Sequence, residues 1–355
     1  MKSSILNIKA LLICGAMIGG FTVNAGNEDR VGQAGAAHLL INPWARSSAL
    51  GDVGISFTNG LEATFTNIAG LASTNKTQIK FNYTNWMGSM TGVSLNSAGI
   101  AQRLGGSSVI AVSIQSLNYG DIMITTVQNP EGNIGTFSPR ANVFNVGYAH
   151  TFSASISGGI NVKVISENIS NLKSTGVAID AGIRYVSGEQ EQLKFGIALK
   201  NVGPTMKYKG DGLNTQVQYL TSSFIGSLEQ RTATFEMPSL LSIGGSYDFI
   251  FNEKNRLILG LGFTANSFSY DQFRIGLDYG FSSEKVAFNL RGGYVYEKGI
   301  FNAENRANAL IGPTAGFSVD ALLGEKKSAL GIEYAARFAG PFGIIHTVGA
   351  TISLK

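Results

Sequence analysis

Cysteine is almost absent from this chain of 355 residues, and Cys14 is its single example. Because Cys14 lies within the first 25 residues, the rest of the chain has no thiol, no disulfide and no cysteine-based metal site. Charged residues are also few, at 14% of the chain. Low charge argues against disorder, which depends on many charges and few apolar groups. Glycine is abundant (45 residues) but does not recur every third position, which excludes a collagen-like chain.

The N-terminus has the three parts of an export signal. Two lysines (Lys2 and Lys9) precede an apolar run from Ala10 to Phe21, and Val23-Asn24-Ala25 then offers a small-residue cleavage site. The apolar run is too short to span a bilayer, so residues 1–25 are predicted to be a cleaved signal peptide and not an anchor. Removal of Lys2 and Lys9 lowers the formal charge from +4 to +2, which is too small a surplus to indicate nucleic-acid binding.

Apolar and polar residues alternate along most of the chain after residue 77. In residues 273–281, FRIGLDYGF, every second side chain is apolar, which is typical of a strand with one apolar face. No stretch after residue 77 shows a sustained helical period. The pattern predicts fourteen strands, at about 77–87, 92–104, 107–118, 140–152, 155–168, 177–187, 190–203, 237–251, 255–267, 270–282, 284–296, 307–322, 326–337 and 342–354.

The gaps between these predicted strands differ in length according to their order along the chain. The even-numbered gaps (second, fourth and so on) are short, as at Gly105-Gly106 and Ser153-Ala154. The odd-numbered gaps include the long ones, 119–139, 169–176, 204–236 and 297–306. Outer-membrane barrels have short periplasmic turns and longer extracellular loops, and a soluble sandwich has no reason for such sorting. We therefore predict an all-β fold, a transmembrane antiparallel barrel of about fourteen strands over residues 77–355, with its apolar faces toward lipid.

The polar faces of the predicted strands carry charges of both signs. Such charges can pair across the barrel interior, which suits a filled or plugged lumen at least as well as an open pore. The predicted lumenal set is Lys163, Asp180, Arg184, Lys194, Lys200, Asp248, Arg274, Asp278, Arg291, Glu333 and Arg337.

Residues 26–76 precede the first predicted strand and are too many to form a single strand. They contain stretches of small residues that are compatible with helix. We expect them to form a short, partly helical plug or hatch in the barrel. Within them, INPWARSSALGDVGISFTNGLEATFTNIAGLA (41–72) resembles the N-terminal signature of the PorV/PorQ family of FadL-like outer-membrane barrels. The positions that match include Arg46, Gly51, Asn67 and Gly70, which we call the plug signature. Ile68 stands where the family usually has proline.

The resemblance implies a non-enzymatic role in the type IX protein secretion system of Bacteroidota. Members act as carriers that bind the C-terminal signal domain of exported proteins through extracellular loops. They meet this cargo at a giant outer-membrane translocon and deliver it to the attachment machinery at the cell surface. The alternative is a FadL-like channel for hydrophobic small molecules, which would need an apolar pocket inside the barrel that is reached by a lateral opening.

Two predicted loops carry apolar residues that are candidates for partner binding. The first, 119–139, either continues the barrel wall or offers an edge to which a β-rich cargo domain adds a strand. The second, 204–236, either projects outward or folds inward to cap the lumen. The candidate residues are Ile122, Met123, Ile124, Val127, Tyr219, Leu220, Phe224 and Ile225.

Residue patterns typical of catalysis are missing from the sequence. The three histidines, His38, His150 and His346, are far apart, and no Gly-x-Ser-x-Gly motif is present. Gly260-Leu261-Gly262 begins a segment that nominally matches a dinucleotide-binding motif. The segment lies inside a predicted strand, whereas that motif lies between a strand and a helix. We expect no enzyme, no metal site and no cofactor.

Overall fold

The computed structural model describes residues 26–87, 92–218, 225–302, 306–324 and 328–355. Fourteen strands form a closed antiparallel barrel. They are β1 (Thr77–Asn85), β2 (Ser94–Leu104), β3 (Ser108–Asn118), β6 (Arg140–Thr151), β7 (Ile156–Ile169), β8 (Leu172–Ser187), β9 (Leu193–Val202), β13 (Leu240–Ile250), β14 (Asn255–Asn266), β15 (Gln272–Ser282), β16 (Val286–Glu297), β17 (Gly312–Leu323), β18 (Ser328–Phe338) and β19 (Ile344–Leu354). Five shorter strands lie in the loops: β4 (Ile122–Met123), β5 (Thr136–Phe137), β10 (Tyr208–Lys209), β11 (Asn214–Gln218) and β12 (Ile225–Glu229).

The barrel closes where its first and last strands meet. β1 pairs with β2 on one side and with β19 on the other, so that Phe81 lies opposite Ala350. The remaining wall strands pair with their neighbours in the chain, including β9 with β13 across the longest loop. Closure gives every wall strand two partners, which satisfies its backbone groups where no water is present.

The connections differ strongly between the two ends of the barrel. One end, which we call the turn side, has connections of three to five residues and also carries Thr77 and Leu354. The other end, the loop side, has the long connections 119–139, 203–239 and 298–311. In outer-membrane barrels the short turns face the periplasm and the long loops face outward.

One predicted loop is wrong. Residues 169–176 do not form a loop, because β7 and β8 continue to Ile169 and Leu172 and are joined by only two residues. Ser170 adopts a left-handed conformation (φ 50°), which fits the tight turn of this hairpin. The hairpin raises these two strands above the wall on the loop side.

Outward and inward faces alternate along each wall strand, as the sequence predicts. In β15 the side chains of Phe273, Ile275 and Leu277 are exposed on the outside, while Asp278 is buried inside. The same division holds along the other wall strands, where outward positions are mostly apolar and the buried lumenal ones mostly polar or small. The apolar outer surface is what a lipid-facing barrel requires.

Residues 26–76, which we call the plug, lie inside the barrel. The plug contains one short α-helix, α1 (Ala45–Ala49), and four 3₁₀ turns at Glu28–Arg30, Ala37–Leu40, Gly60–Thr64 and Ile68–Ser73. Its buried apolar side chains pack against small residues of the wall in one cluster, comprising Trp44, Leu61, Ala63, Phe65, Ile68, Leu71, Ala72, Ala101, Val109, Ala111 and Ala149. The core of the molecule is therefore the interface between plug and wall. In the described part of the chain, no helix is both long and apolar enough to cross a membrane.

Candidate functional site

The plug signature forms contacts that hold the plug together and fix it to the wall. Arg46 lies on α1, and its Nη2 is 3.3 Å from Oδ2 of Asp278 on β15. The same carboxylate oxygen lies 3.2 Å from Nε of Arg291 on β16. Two arginines, one from the plug and one from the wall, therefore share one buried carboxylate.

Two glycines of the signature sit where a side chain has no room or the backbone is unusual. Gly51 adopts a left-handed conformation (φ 62°) at the turn after α1, which favours glycine. At Gly70, an added Cβ would overlap the carbonyl oxygen of Thr58 within the plug. These positions need glycine for plug geometry, and neither provides a chemical group for a ligand.

Asn67 joins three backbone segments. Its Oδ1 accepts a hydrogen bond from the N–H of Ala69 (3.1 Å), which caps the 3₁₀ turn Ile68–Ser73. Its Nδ2 donates to the carbonyl oxygens of Ile55 in the plug (2.8 Å) and Ile183 in the wall (3.1 Å). Ile68, where the family usually has proline, is accommodated as a buried residue of the core cluster.

A second ionic contact between plug and wall centres on Lys80 of β1. Its ammonium contacts Glu62 of the plug and lies 2.9 Å from Oε2 of Glu333 on β18. Glu62 also accepts a hydrogen bond from the backbone N–H of Ser47 (2.9 Å), and Glu333 accepts one from Thr351. All three charged side chains are buried, so we call them the buried clamp.

Asp52 forms a third plug–wall ion pair. Its Oδ2 accepts a hydrogen bond from Nη1 of Arg337 on β18 at 2.8 Å. Burial alone would raise the pKa of Asp52, but the positive charges of Arg337 and Arg274 outweigh burial and lower the pKa below its usual value. Asp52 therefore stays ionised inside the barrel.

The plug separates two openings of the barrel. A loop-side chamber of about 400 Å³ is bordered by plug residues 31–41 and by the loop-side ends of the strands. A turn-side vestibule of about 540 Å³ is bordered by the buried clamp, Arg46 and the ends of β13–β18. The two spaces share no lining residue, and between them the described plug side chains Trp44, Leu50 and Leu61 are almost fully buried.

The candidate residues of the first loop lie at the outer surface. Beyond β3 and β6, the short strands β4 and β5 pair as a separate ribbon, with Ile122 opposite Phe137. Met123 is 52% exposed and Val127 is fully exposed, while Ile122 and Ile124 are also exposed. The ribbon is a two-stranded sheet of its own, and the hydrogen bond from the N–H of Tyr119 to the carbonyl oxygen of Pro139 (3.1 Å) connects its base to the end of the β3–β6 pair.

The second loop behaves differently at its base and at its tip. At the base, Met206, Phe235 and Met237 pack inward against plug and wall residues such as Leu39 and Ile165. At the tip, β11 and β12 form a ribbon that exposes Ile225 and Leu228. The base of this loop therefore folds inward toward the lumen, and its tip projects outward. The candidates Tyr219, Leu220 and Phe224 lie outside the described residues.

Charges in the plug are the main feature that the sequence analysis missed. The lumenal charges of the wall were predicted from strand alternation, and Lys163–Asp180 (2.7 Å) and Lys194–Asp248 (2.6 Å) pair directly. Glu62 and Asp52, however, lie in an irregular segment with no period that would assign their direction. Among the described residues, no group of three or more potential metal ligands is present.

Comparison with solved structures identifies the fold. The structure resembles the toluene transporter TbuX of Ralstonia pickettii (TM-score 0.52, 15% identity), with 88% of this chain and 97% of that chain covered. It also resembles the toluene transporter TodX of Pseudomonas putida and a FadL homologue of Pseudomonas aeruginosa, each with a TM-score of 0.53, 12% identity, and coverage of 88% of this chain and 98% of the other. At these identities the likeness establishes a FadL-type barrel and nothing about substrates.

The sequence comparison identifies the family. No protein of curated function matches the chain significantly in sequence. Residues 24–267, which are more than half of the chain, match the family described as "Type IX secretion system protein PorV". The match spans the plug and the first nine wall strands, and it confirms the resemblance seen in residues 41–72. With its FadL-type transmembrane barrel, the chain is an outer-membrane protein that belongs to the PorV family of the type IX secretion system.

Proposed function

We propose that this protein is a non-enzymatic carrier in the type IX secretion system. It binds exported proteins at their C-terminal signal domain through its extracellular loops, at the large outer-membrane translocon, and delivers them to the attachment machinery. The observation that supports this most is the combination of a barrel filled by its plug with apolar side chains exposed on two loop ribbons. Such a molecule is suited to binding at its outer surface more than to conduction through its lumen.

The loop ribbons offer two modes of binding. Their exposed apolar residues, Met123 and Val127 on one side and Ile225 and Leu228 on the other, can be buried against a partner. In addition, the ribbon of β11 and β12 is a separate two-stranded sheet, so its outer edges offer backbone groups to an added strand. A β-rich cargo domain is compatible with both modes.

We also propose a division of the chain by role. Residues 1–25 act as the export signal, and this segment lies outside the described residues. Residues 26–76 remain in the barrel as the plug after export, and residues 77–355 form the membrane-embedded wall. The extensive polar contacts between plug and wall support this division, because the plug would lose them on leaving.

The second candidate function is a FadL-like channel for hydrophobic small molecules. The observation that favours it is the loop-side chamber, whose walls are largely apolar. Against it stand the buried plug core and the ion pair of Asp52 with Arg337, which fill the lumen between the chamber and the turn side.

The test compares secretion in cells that carry variants of the two ribbons. Met123→Ser with Val127→Ser alters the first ribbon, and Ile225→Ser with Leu228→Ser alters the second. We expect each pair to reduce co-purification of exported proteins and to leave cargo trapped inside the cell. Phe301→Ser is the matched control, because Phe301 is an exposed apolar residue on a loop outside the proposed site.

Barrel assembly is checked in each variant by the heat-dependent gel mobility typical of folded barrels. Normal secretion and unchanged co-purification with both ribbon pairs would refute the assignment of these loops. Deletion of the gene separates the two functions. Loss of many unrelated secreted proteins supports the carrier, whereas normal secretion with failed uptake of a hydrophobic nutrient supports the channel.

A further inference from the structure

The loop-side chamber combines apolar walls with a strongly basic floor. Its walls come from the plug, the strand ends and the loops, and include Ile41, Leu117, Leu240, Phe268 and Ile345. Its volume of about 400 Å³ is within the range of small-ligand pockets. The plug closes it below, so the chamber is a dead end that opens toward the loops.

Three cations line the floor of this chamber: Lys200 of β9, Arg274 of β15 and Arg337 of β18. Of these three cations, only Arg337 lies within 4 Å of a carboxylate of the described residues, that of Asp52. Arg274 donates to a backbone carbonyl and to the side chain of Gln272. The Nε groups of both arginines are buried without a hydrogen-bond partner.

Lys200 is the least compensated of the three. It is 7% exposed, its ammonium donates to the carbonyl oxygen of Phe65 (3.2 Å), and it lies 4.7 Å from the centre of the Phe65 ring. Neither partner carries a negative charge. Burying a charge without a paired opposite charge is costly, so an anion that contacts this ammonium would be stabilised by a charge-assisted hydrogen bond.

The nearby carboxylates already have other partners. Asp180 lies 2.7 Å from the ammonium of Lys163. Asp52 is already engaged by Arg337 and by Asn42. Glu297 is held by Nε2 of Gln272 at 2.7 Å and does not line the chamber. The ligand that matches the chamber is therefore a carboxylate attached to an apolar body.

We propose that this chamber receives the C-terminal carboxylate of an exported protein, an inference that rests on the proposed carrier function. A dead-end chamber accepts the end of a chain but not its middle, and the chain end is where a polypeptide offers a backbone carboxylate. Asn266 and Asn308 interrupt the apolar wall, and their side-chain oxygens already accept hydrogen bonds from the N–H groups of Phe268 (3.0 Å) and Leu310 (2.9 Å). The Nδ2 group of Asn266 is therefore the amide donor for a peptide carbonyl, and a fatty acyl tail offers no acceptor to it.

The experiment measures binding of three probes to the purified full-length protein in detergent. The first probe is a fluorescent peptide of the last ten residues of a cargo that co-purifies with the protein. The second is the same peptide with an amidated C-terminus, and the third is oleate as a competitor. We expect the free acid to bind about tenfold more tightly than the amide or better, since a hydrogen bond to a charged group is lost on amidation.

Variants locate the effect. Lys200→Met keeps the length of the side chain and should abolish the difference between acid and amide. Lys298→Met should preserve it, because Lys298 is an exposed lysine on a loop of the same side. If Lys200→Met does not assemble, Arg274→Gln provides the same test on a different strand.

The outcomes distinguish this inference from the carrier function. Equal binding of acid and amide by the parent protein overturns the chamber assignment, as does a difference that survives both floor variants. If oleate binds in a Lys200-dependent way while neither peptide binds, the source of the carboxylate is wrong and the proposal is overturned. The carrier function is tested separately by co-purification of whole cargo. If whole cargo still co-purifies when the peptide does not bind, the loops bind cargo without the chamber.

Discussion

Lys80 offers a sharp test of how the plug is held in the barrel. Its ammonium lies between the carboxylates of Glu62 in the plug and Glu333 in the wall and contacts both, with Arg46 as the next positive charge. Lys80 is 2% exposed and Glu62 is 1% exposed, so little water contacts these charges in the folded protein. The change Lys80→Met preserves most of the side-chain volume and leaves two buried carboxylates facing each other.

The expected loss of folding free energy depends on which charges each substitution leaves unpaired. Removal of one partner of a buried ion pair costs about 3–5 kcal/mol, because the remaining charge is uncompensated. The change Glu62→Gln leaves a balanced pair of Lys80 and Glu333 and should cost about 1.5–3 kcal/mol, the value of a charged hydrogen bond. Combining Lys80→Met with Glu62→Gln and Glu333→Gln removes all three charges and should recover much of the loss.

The measurement is the free energy of unfolding from denaturant titration in detergent micelles, with limited proteolysis of residues 26–76 as a second readout. Lys76→Met is the matched control, because this exposed lysine precedes the same strand. A loss below about 1 kcal/mol for Lys80→Met would refute the role of the buried clamp. So would a larger loss for Glu62→Gln than for Lys80→Met.

Two further predictions concern the plug signature. Gly70→Ala should destabilise the protein by about 1–3 kcal/mol, because its Cβ overlaps the Thr58 carbonyl; Gly106→Ala, at a turn with free space, should change thermal stability little. Asn67→Ala should cost about 2–4 kcal/mol, since it leaves the Ala69 N–H and the Ile55 carbonyl without their bonds. Unfolding transitions within about 0.5 kcal/mol of the parent would contradict either prediction.

Much of the barrel could be predicted from the sequence because a strand in a wall has two distinct environments. Alternation in a segment such as residues 273–281 assigns each side chain to lipid or lumen, and the structure confirms this for Phe273 and Asp278. The exception was the start of β8. Residues 172–176 have few apolar side chains because this part of the hairpin rises above the wall, so a hydrophobic period could not reveal the strand.

The plug was harder to predict for a physical reason. Its residues adopt short turns whose direction is set by contacts with the wall and not by a repeating period. Glu62 and Asp52 look like ordinary acidic residues in sequence, yet Glu62 becomes the partner of Lys80, 18 residues away, and Asp52 that of Arg337, 285 residues away. The basic floor of the chamber escaped notice similarly, since Lys200, Arg274 and Arg337 come from three separate strands.

The energetics of the plug bear on the choice between carrier and channel. A through-route along the lumen would require displacement of plug residues that form the pairs Glu62–Lys80 and Asp52–Arg337. Separating even one such pair, with its charges left buried, costs about 3–5 kcal/mol, which keeps an open state below about one molecule in a hundred. Binding at the loop ribbons breaks none of these contacts. The buried ion pairs between plug and wall therefore oppose a continuous route through the lumen.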